Sequence, residues 1–223
     1  MVKLIIAGDS TAATKMTDKR PETGWGEKYQ PSSPRGYGHS FSNEWTFNQK
    51  LHSRRTPLAR RATTCTRRDY FLIQFGHNDQ KTDPERGTTP KEHQENLAQF
   101  IAVAQKSKQI SFTDFYHSLE VHQHNDLDPL TVGPYPEAMR DFAAAFEIPC
   151  LDIFTMTQNY FSTFATRQAR QFFLHLSKNE YPNYPEGISD NTHLNDQGAL
   201  IVARLICQAI KEANLSLSSE ILL

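Results

Sequence analysis

The stretch that most constrains this chain is Leu4 to Ala13, LIIAGDSTAA, in which an unbroken apolar run rises directly into Gly-Asp-Ser. A short, uninterrupted apolar run is what a strand buried on both faces of a parallel sheet looks like. If that strand ends at Ala7, Gly8 allows a tight turn and Ser10 sits at the carboxyl end of the sheet, where open α/β sheets bind their ligands. A serine in that place acts as a nucleophile when a histidine reaches it from elsewhere in the fold. The plainer alternative for Ser10 or Thr11 is a helix N-cap.

A chain of 223 residues is long enough for one α/β domain with a substantial core, and a single domain over 1–223 is expected. The formal charge of −1 and a pI near 6.8 argue against a nucleic-acid or anionic-membrane partner, either of which calls for a basic face. No apolar run approaches the roughly 20 residues needed to span a bilayer. Met1-Val2-Lys3 leads straight into the first strand, leaving no room for a signal peptide, so a cytoplasmic location is expected. Cys65, Cys150 and Cys207 lie too far apart for a disulfide framework or a zinc site. Cys150 and Cys207, in apolar surroundings, are expected to be core thiols.

Further along, Pro21-Glu22-Thr23-Gly24-Trp25-Gly26 reads as a polar loop before a helix start near Glu27. Trp25 either walls a substrate pocket or packs in the core. Tyr70 to Phe75 is a strand rich in aromatic and branched residues, ending in Gly76-His77-Asn78-Asp79. Asn78 there can donate to a developing oxyanion or close an Asx-turn. Thr88-Thr89-Pro90 opens a helix whose apolar face includes Leu97, Phe100, Ile101 and Ala104. A helix over 137–146, a strand over 149–154 and a helix over 155–169 are expected next. The aromatic, proline-rich loop 181–187 precedes Asp190-Asn191-Thr192-His193, and a last helix runs from about Asp196 past Ala209.

Mean hydropathy is low for such a domain, −0.61, and the polar residues concentrate in two blocks, roughly 32–68 and 105–130. In the first, Arg54-Arg55, Arg60-Arg61 and Arg67-Arg68 stud a stretch with no helical or strand period; a solvated loop is favoured over a nucleic-acid site. In the second, His117, His122 and His124 have no regular element to hold them and no completing ligand, so no metal is expected.

Asp190 and His193, three residues apart ahead of a helix, suit the orienting carboxylate and general base that a serine hydrolase needs. At this point the residues resemble a known family. Gly8-Asp9-Ser10, Gly76-His77-Asn78-Asp79 and Asp190-x-x-His193 are similar to the first, third and fifth blocks of the SGNH (GDSL-like) hydrolases. Gly8 to Ala13, Phe75 to Asp79 and Asp190 to Leu194 most resemble rhamnogalacturonan acetylesterases, which remove acetyl groups from pectin backbone sugars. The resemblance covers roughly 1–31, 69–104 and 131–214. It implies a three-layer α/β/α domain with a parallel sheet, Ser10 as nucleophile, His193 as base and Asp190 as its partner. It also implies an oxyanion hole from Asn78 and the Ser10 N–H, an acetylated oligosaccharide as substrate, and no metal or organic cofactor.

The family's second block usually supplies a further glycine N–H to the oxyanion hole within a run like N-G-R-S, and none occurs between Ser32 and Arg68. One permitted back-translation of Asn43 to His52, NEWTFNQKLH, is AAT GAA TGG ACG TTC AAC CAA AAG CTT CAT, most of its codons being chosen among synonyms. Read one nucleotide later this gives M-N-G-R-S-T-K-S-F, and the single codon of Trp45 followed by the A of Thr46 forces the glycine. With permitted codons, a similar shift of Ile110 to Val121 can give a run resembling the family's fourth strand. Both blocks are therefore expected to be out-of-frame translations, with the second and fourth of five parallel strands degraded. Losing an interior strand removes several kcal/mol of burial at about 25 cal/mol per Å². That is a large share of a net stability of about 5–15 kcal/mol. Losing an oxyanion donor costs about 10²–10³ in rate.

The sequence thus points to a serine esterase acting on pectic oligosaccharides, with reduced activity or stability as written. The alternatives are an esterase or thioesterase for other small acyl esters, and an impaired relic that at most binds sugar through Trp25, Tyr181 and Tyr184.

Overall fold

A computed structural model describes residues 4–28, 70–82, 86–106, 110–114, 127–128 and 130–220. The first polar block, the three arginine pairs, Cys65 and the three histidines of the second block lie outside the described residues, as does most of the sequence expected to be out of frame.

Strand β1 (Leu4–Gly8) pairs in parallel with β2 (Tyr70–Gln74), which pairs in parallel with β3 (Ile110–Asp114). All five residues of β2 are buried, as an unbroken apolar run in a central strand requires. Alternate side chains serve two cores. Tyr70 and Leu72 join Leu4 and Ile6 on one face, against Phe161 and the last helix. Phe71 and Ile73 join Ala7 on the other, against Leu97, Phe100, Ile101, Met139 and Phe142. The sheet is therefore the middle layer of an α/β/α sandwich.

Helix α1 (Pro90–Lys106) crosses from β2 to β3. Thr89 and Glu92 form a reciprocal capping box at its start, Thr89 N–H donating to Glu92 Oε2 at 2.7 Å and Glu92 N–H to Thr89 Oγ1 at 3.2 Å. Strand β3 falls inside the second polar block, yet its backbone extends the sheet with unbroken register, Tyr70 opposite Ile110 through Gln74 opposite Asp114. Ladder hydrogen bonds come from peptide groups, so a segment with few apolar residues can still pair.

Two expectations need correction. Residues 149–154 do not form a strand: Cys150 makes a single bridge, and helix α3 (Ile153–Ser162) already begins at Ile153, after α2 (Tyr135–Ala145). Pro149 has no N–H for a ladder, and the Asp152 carboxylate caps the helix by accepting from Thr155 N–H at 3.1 Å. The expected helix over 155–169 likewise ends at Ser162, with a separate turn at Thr166–Ala169.

The remaining strands, β4 (Phe173–Leu176) and β5 (Ile188–Leu194), make a separate antiparallel pair. The last helix, α4 (Asp196–Glu212), is capped by Asn195, whose Oδ1 accepts from Gln197 and Gly198 N–H while its Nδ2 donates to the carbonyls of Gln171 and Phe173. That one side chain ties the helix start to the strand beside the site. Cys150 and Cys207 are half-buried thiols packed against the two cores. Among the described residues, no helix is long and apolar enough to cross a membrane.

Candidate active site

Gly8 ends β1 where space is short: a Cβ there would stand 2.8 Å from Ala12 Cβ. The turn that follows is built on Asp9, whose Oδ1 accepts from Thr11 N–H at 2.9 Å and from the Thr11 hydroxyl at 2.6 Å. Its carbonyl accepts from the N–H groups of Ala12 and Ala13. Asp9 and Thr11 are buried while Ser10, between them, is exposed. No helix follows the turn, so neither Ser10 nor Thr11 is an N-cap. Burial alone would raise the Asp9 carboxyl, but the bond and charge of His77 and the bonds from Thr11 outweigh it and hold the group at about 2.

Asp190 and His193 come from β5 rather than from a free turn. Phe173 pairs with Leu194, and the next residue, Leu174, already pairs with Asp190, so Asn191, Thr192 and His193 bulge out of the ladder. Asp190 organises the bulge with both oxygens. Its Oδ1 accepts from Thr192 N–H at 2.7 Å and His193 N–H at 2.8 Å, and its Oδ2 lies 2.8 Å from His193 Nδ1. The other ring nitrogen, Nε2, is 3.0 Å from Ser10 Oγ. With Nδ1–H donating to a carboxylate, Nε2 presents its lone pair to the serine hydroxyl.

The electrostatics match that tautomer. Burial would raise Asp190, but the bonds from the His193 ring and backbone, with its charge and the Thr192 N–H, bring the carboxyl down to about 2. For His193, burial opposes the cation, but the bond and charge of Asp190 and the charge of Glu22 outweigh it and raise the imidazole above its ordinary value of 6.5. Lys15 works in the opposite sense. An ionised carboxylate orienting an imidazole against a hydroxyl can move a proton from that hydroxyl and hold it on Nε2.

Asn78 lies in the turn that leaves β2, at the same sheet end as Ser10, since Gly8 and Gln74 are register partners. Its carbonyl accepts from Lys81 N–H, and its side-chain amide has no hydrogen bond among the described residues, so the Asx-turn alternative does not apply. Trp25 is fully buried in the core. Tyr181 and Tyr184 are half-buried; the Tyr184 hydroxyl donates to Lys19 O, and Asn183 Nδ2 to the carbonyls of Thr17 and Arg20, so the loop 181–187 is docked on the segment after Ser10. Among the described residues, no cluster of acidic, histidine and cysteine side chains could hold a metal.

Sequence reasoning missed the charges in that segment. Glu22 Oε1 sits 3.7 Å from His193 Nε2 and 2.5 Å from Lys15 Nζ. Arg20 pairs with Glu27, and Lys15 N–H donates to Glu27 Oε1. The available signal was the density of charges of both signs just after the Gly-Asp-Ser turn: Lys15, Asp18, Lys19, Arg20, Glu22, Glu27 and Lys28.

No family model matches the chain. It is 30% identical over 229 residues to rhamnogalacturonan acetylesterase RhgT of Bacillus subtilis, covering 99% of this chain and 94% of that protein. Among solved structures, protein YXIM of Bacillus subtilis superposes with a TM-score of 0.76 at 16% identity, over 96% of this chain and 57% of its own. The acetylxylan esterase Axe2 of Geobacillus stearothermophilus gives a TM-score of 0.61 at 16% identity, over 93% of both chains. These two likenesses concern the fold.

Proposed function

The chain belongs to the rhamnogalacturonan acetylesterase family of SGNH-type hydrolases, and from that premise we propose that it is a serine esterase removing acetyl groups from pectic, rhamnogalacturonan-type oligosaccharides. The observation that carries the chemistry is the continuous line of contacts Ser10 Oγ to His193 Nε2, and His193 Nδ1 to Asp190 Oδ2, at 3.0 and 2.8 Å. The whole chain, 1–223, is read as one hydrolase domain.

His193 Nε2 takes the Ser10 proton as Oγ attacks the acetyl carbonyl. The carbonyl oxygen becomes an oxyanion facing the Ser10 N–H and the Asn78 amide, both without partners among the described residues. The tetrahedral intermediate collapses, the sugar oxygen leaves with the proton from Nε2, and the acetyl group stays on Ser10. Water then gives a proton to Nε2 and attacks the acyl-enzyme. Acetate departs, and the proton returns to Ser10. Asp190 keeps Nδ1–H throughout and balances the imidazolium charge.

The test is labelling of the purified chain with a fluorophosphonate probe beside Ser10→Ala, followed by acetate release from acetylated rhamnogalacturonan oligosaccharides and from aryl acetates. Labelling that disappears in the variant, with acetate released from the oligosaccharide, is expected. Cleavage of aryl acetates alone would overturn the substrate assignment, and a folded but unlabelled protein would overturn the mechanism.

A further inference from the structure

We infer that Glu22 is a positioning residue for His193, set on the Nε2 side of the ring to favour the imidazolium that forms as Ser10 attacks, with Lys15 holding that carboxylate in balance. The inference rests on the serine-esterase reading above and adds a carboxylate that the Ser10, His193 and Asp190 set does not contain.

The geometry separates Glu22 from Asp190. Asp190 binds Nδ1, the nitrogen that keeps its proton throughout the cycle. Glu22 Oε1 instead stands 3.7 Å from Nε2, the nitrogen that gains and loses a proton, on the same atom that meets Ser10 Oγ at 3.0 Å. That separation is too long for a hydrogen bond and short enough for a strong charge interaction. In the resting enzyme the Nε2 lone pair gains nothing from a nearby carboxylate. Once the serine proton arrives, a positive ring faces a negative oxygen. The interaction is therefore stronger in the transition state than in the ground state, which is the condition for a group to raise kcat.

Lys15 explains why the carboxylate does not trap the proton permanently. Its Nζ lies 2.5 Å from the same Glu22 oxygen, and both side chains are only about one-tenth exposed, 10% and 11%. Without that cation, two uncompensated carboxylates would flank one imidazole and favour its protonated form at rest, leaving less free base for Ser10. With it, Glu22 contributes a fraction of a full charge. The placement is fixed by backbone: Glu22 N–H donates to Lys19 O, and Thr23 N–H donates to the carbonyl of Leu194, the residue after His193, each at 2.9 Å. The Arg20–Glu27 pair holds the backbone of Lys15 rather than its amine, through Arg20 to Lys15 O and Lys15 N–H to Glu27. The charged and titratable groups around the His193 ring are thus Glu22 and Lys15 from the loop on the Nε2 side, Asp190 from β5 on the Nδ1 side, and the Tyr184 phenol from the docked loop, which feels both carboxylates and Asp18.

The test uses the full chain as parent, Glu22→Gln, Lys15→Met and Glu22→Asp, with two readouts. One is the midpoint of the His193 imidazole titration by NMR, assigned with a His193→Gln variant. The other is the acid limb of kcat/KM on an aryl acetate. Glu22→Gln is expected to move both midpoints down by about 0.5–1 pH unit, Lys15→Met to move both up by about as much, and Glu22→Asp to fall between parent and Glu22→Gln. Opposite displacements are what a loosened loop cannot produce. Unmoved midpoints in Glu22→Gln, or shifts of the same sign in both charge variants, would overturn the inference. The NMR titration needs no turnover, so a parent without esterase activity would count against the esterase reading while the titration still judged Glu22.

Discussion

Asp190–His193 and Asp79–His93 are both aspartate–histidine pairs near the carboxyl end of a strand, but water reaches only the first. Their side chains are 25% and 28% exposed in the first pair, and 6% and 1% in the second. The separations are close, 2.8 Å and 3.1 Å. What differs is the second ring nitrogen. His193 Nε2 meets the Ser10 hydroxyl, whereas His93 Nε2 has no partner among the described residues and its ring packs edge-on against Tyr135. Asp79 also accepts the Thr88 hydroxyl at 2.7 Å, and Tyr135 donates to the carbonyls of Asp79 and Thr88. One pair is tied to the Ser10 hydroxyl and the other fastens α1 and α2 to the turn after β2. A histidine held by a carboxylate becomes a base only when its far nitrogen opens on a substrate.

The comparison breaks most sharply on Asp190→Asn. The amide no longer fixes Nδ1 as the protonated nitrogen or balances the imidazolium, and kcat is expected to fall by about 10³–10⁴. His93→Leu is the matching change in the core. It leaves the Asp79 carboxylate short of one partner and is expected to lower stability by about 1–3 kcal/mol while kcat stays near that of the parent. Steady-state kinetics with thermal melts on both variants decide the matter. A large loss of kcat in His93→Leu, with the fold intact by circular dichroism, would mean that the buried pair also serves the chemistry.

Asn78 sharpens the contrast, because it is the neighbour of Asp79 and depends on the turn that the buried pair secures. Asn78→Ala is expected to cost about 10²–10³ in kcat with little change in melting temperature, as removal of an oxyanion donor does. Equal kinetics in Asn78→Ala and the parent would strip Asn78 of that role.

Ser10, Asp190 and His193, whose side chains the fold brings together, stood out in the sequence because each lies in a short contiguous motif at a strand end, where a few residues report the local turn. Strands β1 and β2 were legible for a related reason, since burial on both faces leaves an unbroken apolar run. Strand β5 was not, because ISDNTHL has neither apolar alternation nor a run, and its bulge takes three residues out of the ladder. Residues 149–154 misled in the other direction. Their apolar content serves a helix start, and only the Asp152 cap distinguishes that from a strand. Glu22 showed in the sequence only as one charge among many, because its significance lies in a histidine far along the chain that the fold brings to 3.7 Å.

The smallest expected effect concerns acid stability and compares the site carboxylate with a buried one. Asp9 and Asp190 both fall from an ordinary 3.8 to about 2 in the folded protein. A carboxyl depressed on folding gives stability that is fully present above its unfolded value and is lost as pH falls through its folded value. Both groups therefore stabilise the fold above about pH 4 and lose that contribution between about pH 4 and 2. Asp9 is fully enclosed by Thr11, Gln74 and His77, while Asp190 is partly open to solvent, which screens its interactions. Thermal melts in steps from pH 5 to 2 are expected to show a shallower decline in Asp9→Asn than in the parent, with Asp190→Asn in between. Parallel curves for Asp9→Asn and the parent would place the acid sensitivity elsewhere. A flatter curve for Asp190→Asn than for Asp9→Asn would show that the site bulge, rather than the core turn beneath Ser10, yields first to acid.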